Sequence, residues 1–350
     1  MTFIKKLAIF VVVFLVLTQL TFSYAIPASL VYNQRPTYDV IKNNQYDIET
    51  TIKEIKKIID REKLKDYVIF LGDSVGYGTP CPPENSISSC MNQIAAKEGS
   101  PLRVFNLSVP SMMFGDFFIM IKLLEEYGVS TKNLIIDFCY WDFRIKTPVF
   151  WLKHYFQDMD PENYKTMMTN VKKPNLWNTA KDEIIHKATT GIAMLEYREY
   201  VIYSMKNRLN IAFGDNVAVI KPWYTKDFLP AEMKKDENSW YYTDKPFDMD
   251  EADNPQVYFL NKIIEVQKGR NTIIFMAAMN DKLLQEGTSK PGYIENMKKI
   301  DKAFGNKAVK YVNYNKKIDY NLFSDHVHLI PAGYKALAED LWKRINEGRV

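Results

Sequence analysis

Phe70-Leu71-Gly72-Asp73-Ser74-Val75-Gly76-Tyr77-Gly78 is the stretch whose reading decides the fold. A hydrophobic run ends at a small, an acidic and a hydroxyl residue, then enters a glycine-rich loop. In an open α/β sheet, ligands gather outside the carboxyl ends of the strands. A serine at that point stands on a tight turn with its hydroxyl at the mouth of a site. The competing reading is a helix N-cap, for which Asp and Ser are both suited. The segment alone leaves both open.

Working outward, short apolar runs alternate with helical patterns. The runs are Tyr67 to Leu71, Arg103 to Val109, Asn133 to Tyr140, Asn271 to Met279 and Val309 to Asn313. Continuous apolar runs of this length, separated by amphipathic helices, predict strands buried on both faces of a parallel sheet. A lysine-rich helix precedes them, with Ile48, Ile52, Ile55, Ile58 and Ile59 on one face. The final helix opens at Pro331, places Tyr334, Leu337, Ala338, Leu341, Trp342 and Ile345 on one face, and closes at Gly348. Five strands with intervening helices make a three-layer α/β domain.

Residues 147–254 break the alternation between the third and fourth strands. This stretch is rich in aromatics and lysine, with one long helical pattern from about Lys181 to Arg208, and reads as an insertion that caps the sheet. Trp151, Trp177, Trp223, Trp240, Tyr241 and Tyr242 either stack on sugar rings or pack the cap onto the core; packing is the favoured reading.

Ser324-Asp325-His326-Val327-His328-Leu329, just before the final helix, supplies the chemistry that a serine needs. Serine is a poor nucleophile at neutral pH without a positioned base, and histidine is the usual one. Asp325, three residues before His328, can hold the imidazole in the useful tautomer. The unit follows the last strand and so reaches the same sheet edge as Ser74. His326 reads as a surface or supporting residue, and His154 and His186 as surface or cap residues.

The N-terminus has Lys5 and Lys6 before an unbroken apolar run, Leu7 to Leu17, and ends its mixed stretch at Ser23-Tyr24-Ala25. That is a secretory signal pattern, and the same stretch is long enough to remain as an anchor. Residues 1–28 are therefore a signal peptide or membrane anchor, and residues 29–350 an extracytoplasmic domain. Removing the first 25 residues lowers the net charge from +4 to +2, because only Lys5 and Lys6 are lost. Such a balance, without a basic run interleaved with aromatics, gives no reason to expect nucleic acid. Of the three cysteines, Cys81 and Cys90 share a loop that an exported protein could close with a disulfide. Cys139 reads as a buried small hydrophobe. The cysteines and the four histidines lack the spacing of a metal site, and no cofactor is expected.

These blocks resemble the SGNH (GDSL-type) hydrolase superfamily: Gly72-Asp73-Ser74 matches its first block, and Asp325 and His328 its last. The resemblance covers the α/β core from about Asp66 to the end, excluding the insertion. It implies a flavodoxin-like fold in which Ser74 attacks an ester carbonyl, His328 is the base and Asp325 orients it. The closest branch is the membrane-anchored cell-surface one, which implies O-acylated glycan as substrate and a membrane-bound acyltransferase as partner. The middle blocks depart from the family. Asn106-Leu107-Ser108-Val109-Pro110-Ser111 has serines where the family has two glycines, the second of which donates a backbone N–H to the oxyanion. Cys139-Tyr140-Trp141-Asp142 has Trp141 where the family has an oxyanion-binding Asn. The expected oxyanion donors are the N–H groups of Ser74 and Ser111, with Trp141 or Asn280 as replacements for the missing amide. The functional expectation is a serine esterase or O-acyltransferase. The alternatives are a non-catalytic protein that binds acylated glycan or a membrane acyltransferase, and a secreted lipase or lysophospholipase.

Overall fold

Strands β1 (Tyr67–Leu71), β2 (Arg103–Asn106), β3 (Asn133–Phe138), β4 (Asn271–Met276) and β5 (Lys310–Asn313) pair in parallel in the order β2-β1-β3-β4-β5. This is the doubly wound, flavodoxin-like order, whose topological switch point lies between β1 and β3. The structure, a computed structural model, describes residues 3–168, 184, 186, 191–213, 242–305 and 307–348.

The continuous apolar runs are explained by the layers. Alternate strand residues point to opposite faces, and both faces are covered. Ile69, Leu71, Leu134, Ile136, Ile274 and Met276 face one layer. Helices α2 (Asp47–Glu62), α5 (Phe114–Glu126), α9 (Pro255–Val266) and α10 (Pro291–Phe304) supply that layer, through residues such as Ile52, Phe117, Phe259 and Ile300. Val68, Phe70, Ile135, Ile273 and Phe275 face the other, built from α4 (Ile87–Lys97) and α11 (Pro331–Glu347). The fold is thus the three-layer α/β arrangement read from the sequence.

Three strands end earlier than their apolar runs. Leu107, Val109, Cys139, Ala277 and Met279 are buried, yet they lie beyond the last strand residues. They line the floor of the carboxyl edge, where loops are packed rather than solvated. A hydropathy pattern cannot separate a buried loop from a buried strand, which is why the runs overshoot.

The long helical pattern in the insertion is interrupted. Its described part comprises α7 (Ala193–Glu196) and α8 (Arg198–Phe213), with Gly191 in a left-handed turn before them at φ 84°. Earlier in the insertion, α6 (Lys153–Met159) follows a loop tied to Asp116. Trp177, Trp223, Trp240 and Tyr241 lie outside the described residues, as do Lys181 and its neighbours. At the N-terminus, α1 (Phe3–Ala25) carries an apolar stretch, Phe3–Phe22, of mean hydropathy 2.2, no residue of which is buried in the protein. It is long and apolar enough to cross a membrane, and fits a signal sequence or an anchor equally by composition.

Candidate active site

Ser74 begins a one-turn helix, α3 (Ser74–Tyr77), directly after β1. The turn is built by its neighbours. Asp73 is the N-cap, and one of its carboxylate oxygens accepts the Val75 N–H at 2.7 Å. Gly78 ends the helix in the left-handed region at φ 87°, where a side chain is strained. Both readings of the motif are therefore realised at once: Asp73 caps the helix, and Ser74 stands at its first position.

Gly72 is dictated by packing. A Cβ at this position would lie 1.4 Å from Oδ1 of Asp137, which projects from β3 on the same face of the sheet. Gly76 is held to the same requirement, with that oxygen 2.2 Å from its would-be Cβ. The Asp137 carboxyl is buried beside Asp73 and makes no hydrogen bond of good geometry with the described residues. Burial, followed by repulsion from Asp73, pushes its pKa well above the carboxylate range. Asp142, buried in the loop after β3, is raised for the same reasons in the same order. The second Asp73 oxygen accepts the Cys139 thiol at 2.9 Å. Beneath Ser74 there is thus a buried acidic cluster at the β1/β3 switch point.

The segment from Phe323 to Leu329 closes on itself through a bridge between those two residues and a 2.8 Å bond from the Ser324 N–H to the His328 carbonyl. Inside it, Asp325 Oδ1 accepts the N–H groups of Val327 and His328 at 2.8 and 2.7 Å. Its Oδ2 lies 2.7 Å from His328 Nδ1, and His328 Nε2 lies 2.9 Å from Ser74 Oγ. Burial opposes charge on Asp325, but the hydrogen bond and charge of His328, with the neighbouring backbone donors, outweigh it and lower its pKa. Ser74, His328 and Asp325 thus form one unbroken hydrogen-bonded chain. Such a chain can take a proton from the serine hydroxyl and stabilise the resulting imidazolium.

The four expected oxyanion donors fall in different situations. Ser74 N–H opens α3. Ser111 is exposed and has φ 70°, in the left-handed region that favours glycine. Trp141 is half-buried and packs against both core layers at the carboxyl edge of β3. Asn280 is otherwise engaged. Its amide donates to the Asp325 carbonyl at 3.3 Å, its Oδ1 accepts the Leu283 N–H, and its own N–H donates to the His326 carbonyl. These bonds make it a brace for the loop that carries Asp325 and His328.

Other expectations change too. Cys81 and Cys90 are free, buried thiols, not a disulfide. The Cys81 thiol is pushed up to about 12 by burial and points at the Leu329 carbonyl, 3.6 Å away, so it supports the His328 loop. His326 is buried, not on the surface, and burial lowers its pKa to about 4. His154 is likewise buried, packed on Tyr46 and Tyr155, and lowered to about 3.

Two contributors carry no signal in the local pattern. The Trp151 indole donates to the Pro110 carbonyl at 2.8 Å and so holds the peptide that precedes Ser111. Arg35, from the segment before α2, donates to the carbonyls of Tyr77 and Cys81 at 2.8 and 3.1 Å and pins the far side of the Ser74 turn. Both contacts join residues remote in sequence, and only the aromatic enrichment of the insertion hinted at the first.

No family model matches this chain, and no curated protein matches it. Among solved structures, the chain is similar to that titled "Crystal Structure of TesA", at 15% identity over 37% of this chain and 74% of that one, with a TM-score of 0.20. A score that low carries no weight, so the case for function rests on the site.

Proposed function

We propose that this protein is a serine-dependent esterase or O-acyltransferase that works through an acyl-Ser74 intermediate. The observation that supports this reading is the chain Asp325–His328–Ser74, with contacts of 2.7 and 2.9 Å. His328 Nε2 removes the hydroxyl proton as Ser74 Oγ attacks the ester carbonyl carbon. Asp325 stabilises the imidazolium. The N–H groups of Ser74 and Ser111 bind the oxyanion, which collapses as the C–O bond to the leaving alkoxide breaks and His328 returns the proton to it. In the second half, water or a sugar hydroxyl gives its proton to His328 and attacks the acyl-enzyme, releasing Ser74.

Export is the expected setting, from the N-terminal apolar helix, and an O-acylated cell-surface glycan the expected substrate. A membrane acyl donor is the expected partner in transfer. The test is hydrolysis of p-nitrophenyl acetate and fluorophosphonate labelling by full-length protein in detergent, beside Ser74→Ala and His328→Ala. Turnover and labelling lost in both variants support the reading. A wild type no more reactive than Ser74→Ala overturns it in favour of a non-catalytic binding protein.

A further inference from the structure

The carboxyl end of α1 does not project freely from the folded domain. Gln19 Oε1 accepts the Ala193 N–H at 2.8 Å, and its amide donates to the Gly191 carbonyl. The Phe22 ring meets Tyr197 edge-on, with centroids 6.5 Å apart. Phe22 and Ile26 join Val31, Val40, Tyr197 and Tyr200 in a small core of their own. The insertion is therefore fastened to the apolar helix at Gln19, a residue inside the apolar stretch Phe3–Phe22.

That attachment fixes a depth. A helix rises about 1.5 Å per residue, and a hydrocarbon core of about 30 Å takes roughly 20 residues. Counted from Leu7, after Lys5 and Lys6, the core extends to the region of Ile26. Gln19 then lies about 10 Å inside its far boundary, and α7 must lie at that level or at the boundary itself. Polar groups at such a depth must be satisfied internally. Gln19 is paired to the peptides of 191 and 193, and Thr21 Oγ donates to the Leu17 carbonyl at 2.7 Å.

The side chains at this level suit lipid. Ile192 and Met194 flank the Ala193 that Gln19 holds, and are 43% and 44% exposed. Tyr197, just before α8, and Tyr200 on it are buried, while Ile202 and Met205, 38% and 57% exposed, fall on the opposite side of the helical wheel. Arg198 shares that outer side, and exposed Lys206 follows Met205. Apolar groups edged with basic ones are the composition of a helix lying in a bilayer interface. Single exposed apolar residues are ordinary. Four along α8, α7 and the N-cap of α7, tied to the carboxyl-terminal third of a membrane-length helix, are not.

We propose that α1 is retained and crosses the bilayer, and that α7 and α8 lie in the outer leaflet of that same bilayer, with Ile192, Met194, Ile202 and Met205 in contact with lipid. This goes beyond the acyl-transfer reading and does not depend on it.

The test uses full-length protein in vesicles of phosphatidylcholine and phosphatidylglycerol. Nitroxide is attached at Met194→Cys, Met205→Cys, Leu15→Cys and the exposed Ser289→Cys, one at a time. The native cysteines are buried. Relaxation by oxygen and by a water-soluble nickel complex reports depth. The expected result is oxygen access several-fold above nickel access at 194 and 205, as at 15, with the reverse at 289. Nickel access at 194 and 205 overturns the proposal, as does shielding from both agents, which means a protein covers the patch. A nickel-accessible Leu15 overturns it too, because α1 then does not span. So does cell-derived protein whose mass lacks residues 1–25. Ester hydrolysis by the same labelled proteins, read separately, distinguishes failure here from failure of the serine chemistry.

Discussion

The Trp151 indole N–H donates to the Pro110 carbonyl at 2.8 Å, and this bond orients the neighbouring Ser111 N–H. In a trans peptide the C=O and the following N–H point in opposite directions. Fixing the Pro110 oxygen therefore fixes the Ser111 proton. A residue of the insertion thereby controls a donor of the α/β core.

Trp151→Phe keeps an aromatic ring but loses the indole N–H, and with it the bond. On the proposed chemistry, kcat for ester hydrolysis falls about 10-fold, the equivalent of one hydrogen bond of about 1.4 kcal/mol. KM changes by less than about twofold, because the bond acts on the oxyanion and not on substrate binding. Steady-state kinetics on p-nitrophenyl acetate decide it. A purely structural role would instead lower Tm and leave kcat per active protein unchanged.

Ser111 adopts φ 70°, which costs a non-glycine residue about 1 kcal/mol. Ser111→Gly is expected to keep Tm within about 1 °C of wild type or raise it, and to retain kcat. Ser111→Val, β-branched and more strained there, lowers both. Melting curves and initial rates on the three proteins test this; a Gly variant with greatly reduced kcat would show that the serine side chain acts, not its peptide.

Gly72 and Asp137 compete for one space, since the glycine's would-be Cβ lies 1.4 Å from the carboxyl oxygen. Gly72→Ala is expected to destabilise by about 3 kcal/mol through overpacking. The double variant Gly72→Ala/Asp137→Ala recovers most of the loss, measured by denaturant unfolding. Equal stabilities for the single Gly72→Ala and the double variant would mean that some other group resists the methyl.

Asp137 also sets a pH dependence. Its folded-state pKa is raised by burial and then by Asp73. The folded protein therefore keeps a proton that the unfolded chain releases above about pH 4. Stability from this group is full below that pH and is lost as pH rises toward the folded pKa, by about 1.4 kcal/mol per unit. Asp137→Asn mimics the neutral acid and escapes the loss. Its Tm advantage over wild type should be small at pH 4 and grow by at least about 2 °C by pH 8. Melting across that range checks the sign; an advantage that shrinks with pH refutes it.

Much of this was legible in the residues. Five apolar runs foretold five parallel strands, although the edge strand β5 buries only Val312, and a serine after the first and an Asp-x-x-His after the last had to meet at one sheet edge. Elements that follow a period are readable because each side chain answers to its own face. What escaped was pairing between remote segments. Cys81 and Cys90 look like a pair in the loop, but Cys81 turns to the Leu329 carbonyl. Asn280 is a plausible donor by its place after β4, yet three hydrogen bonds commit it to the loops around it. Nothing near Asp137 in sequence announces that its carboxyl fills the space a Gly72 side chain would need.

The closed segment from Phe323 to Leu329 holds histidine and aspartate together, with the bonds between them made inside seven residues. The two side chains therefore move as one unit, whose contact with Ser74 is set by one distance, the 2.9 Å from His328 Nε2 to its Oγ. Grafting that unit elsewhere means carrying its outside braces too, the Asn280 bonds to the Asp325 and His326 carbonyls and the Cys81 contact with the Leu329 carbonyl.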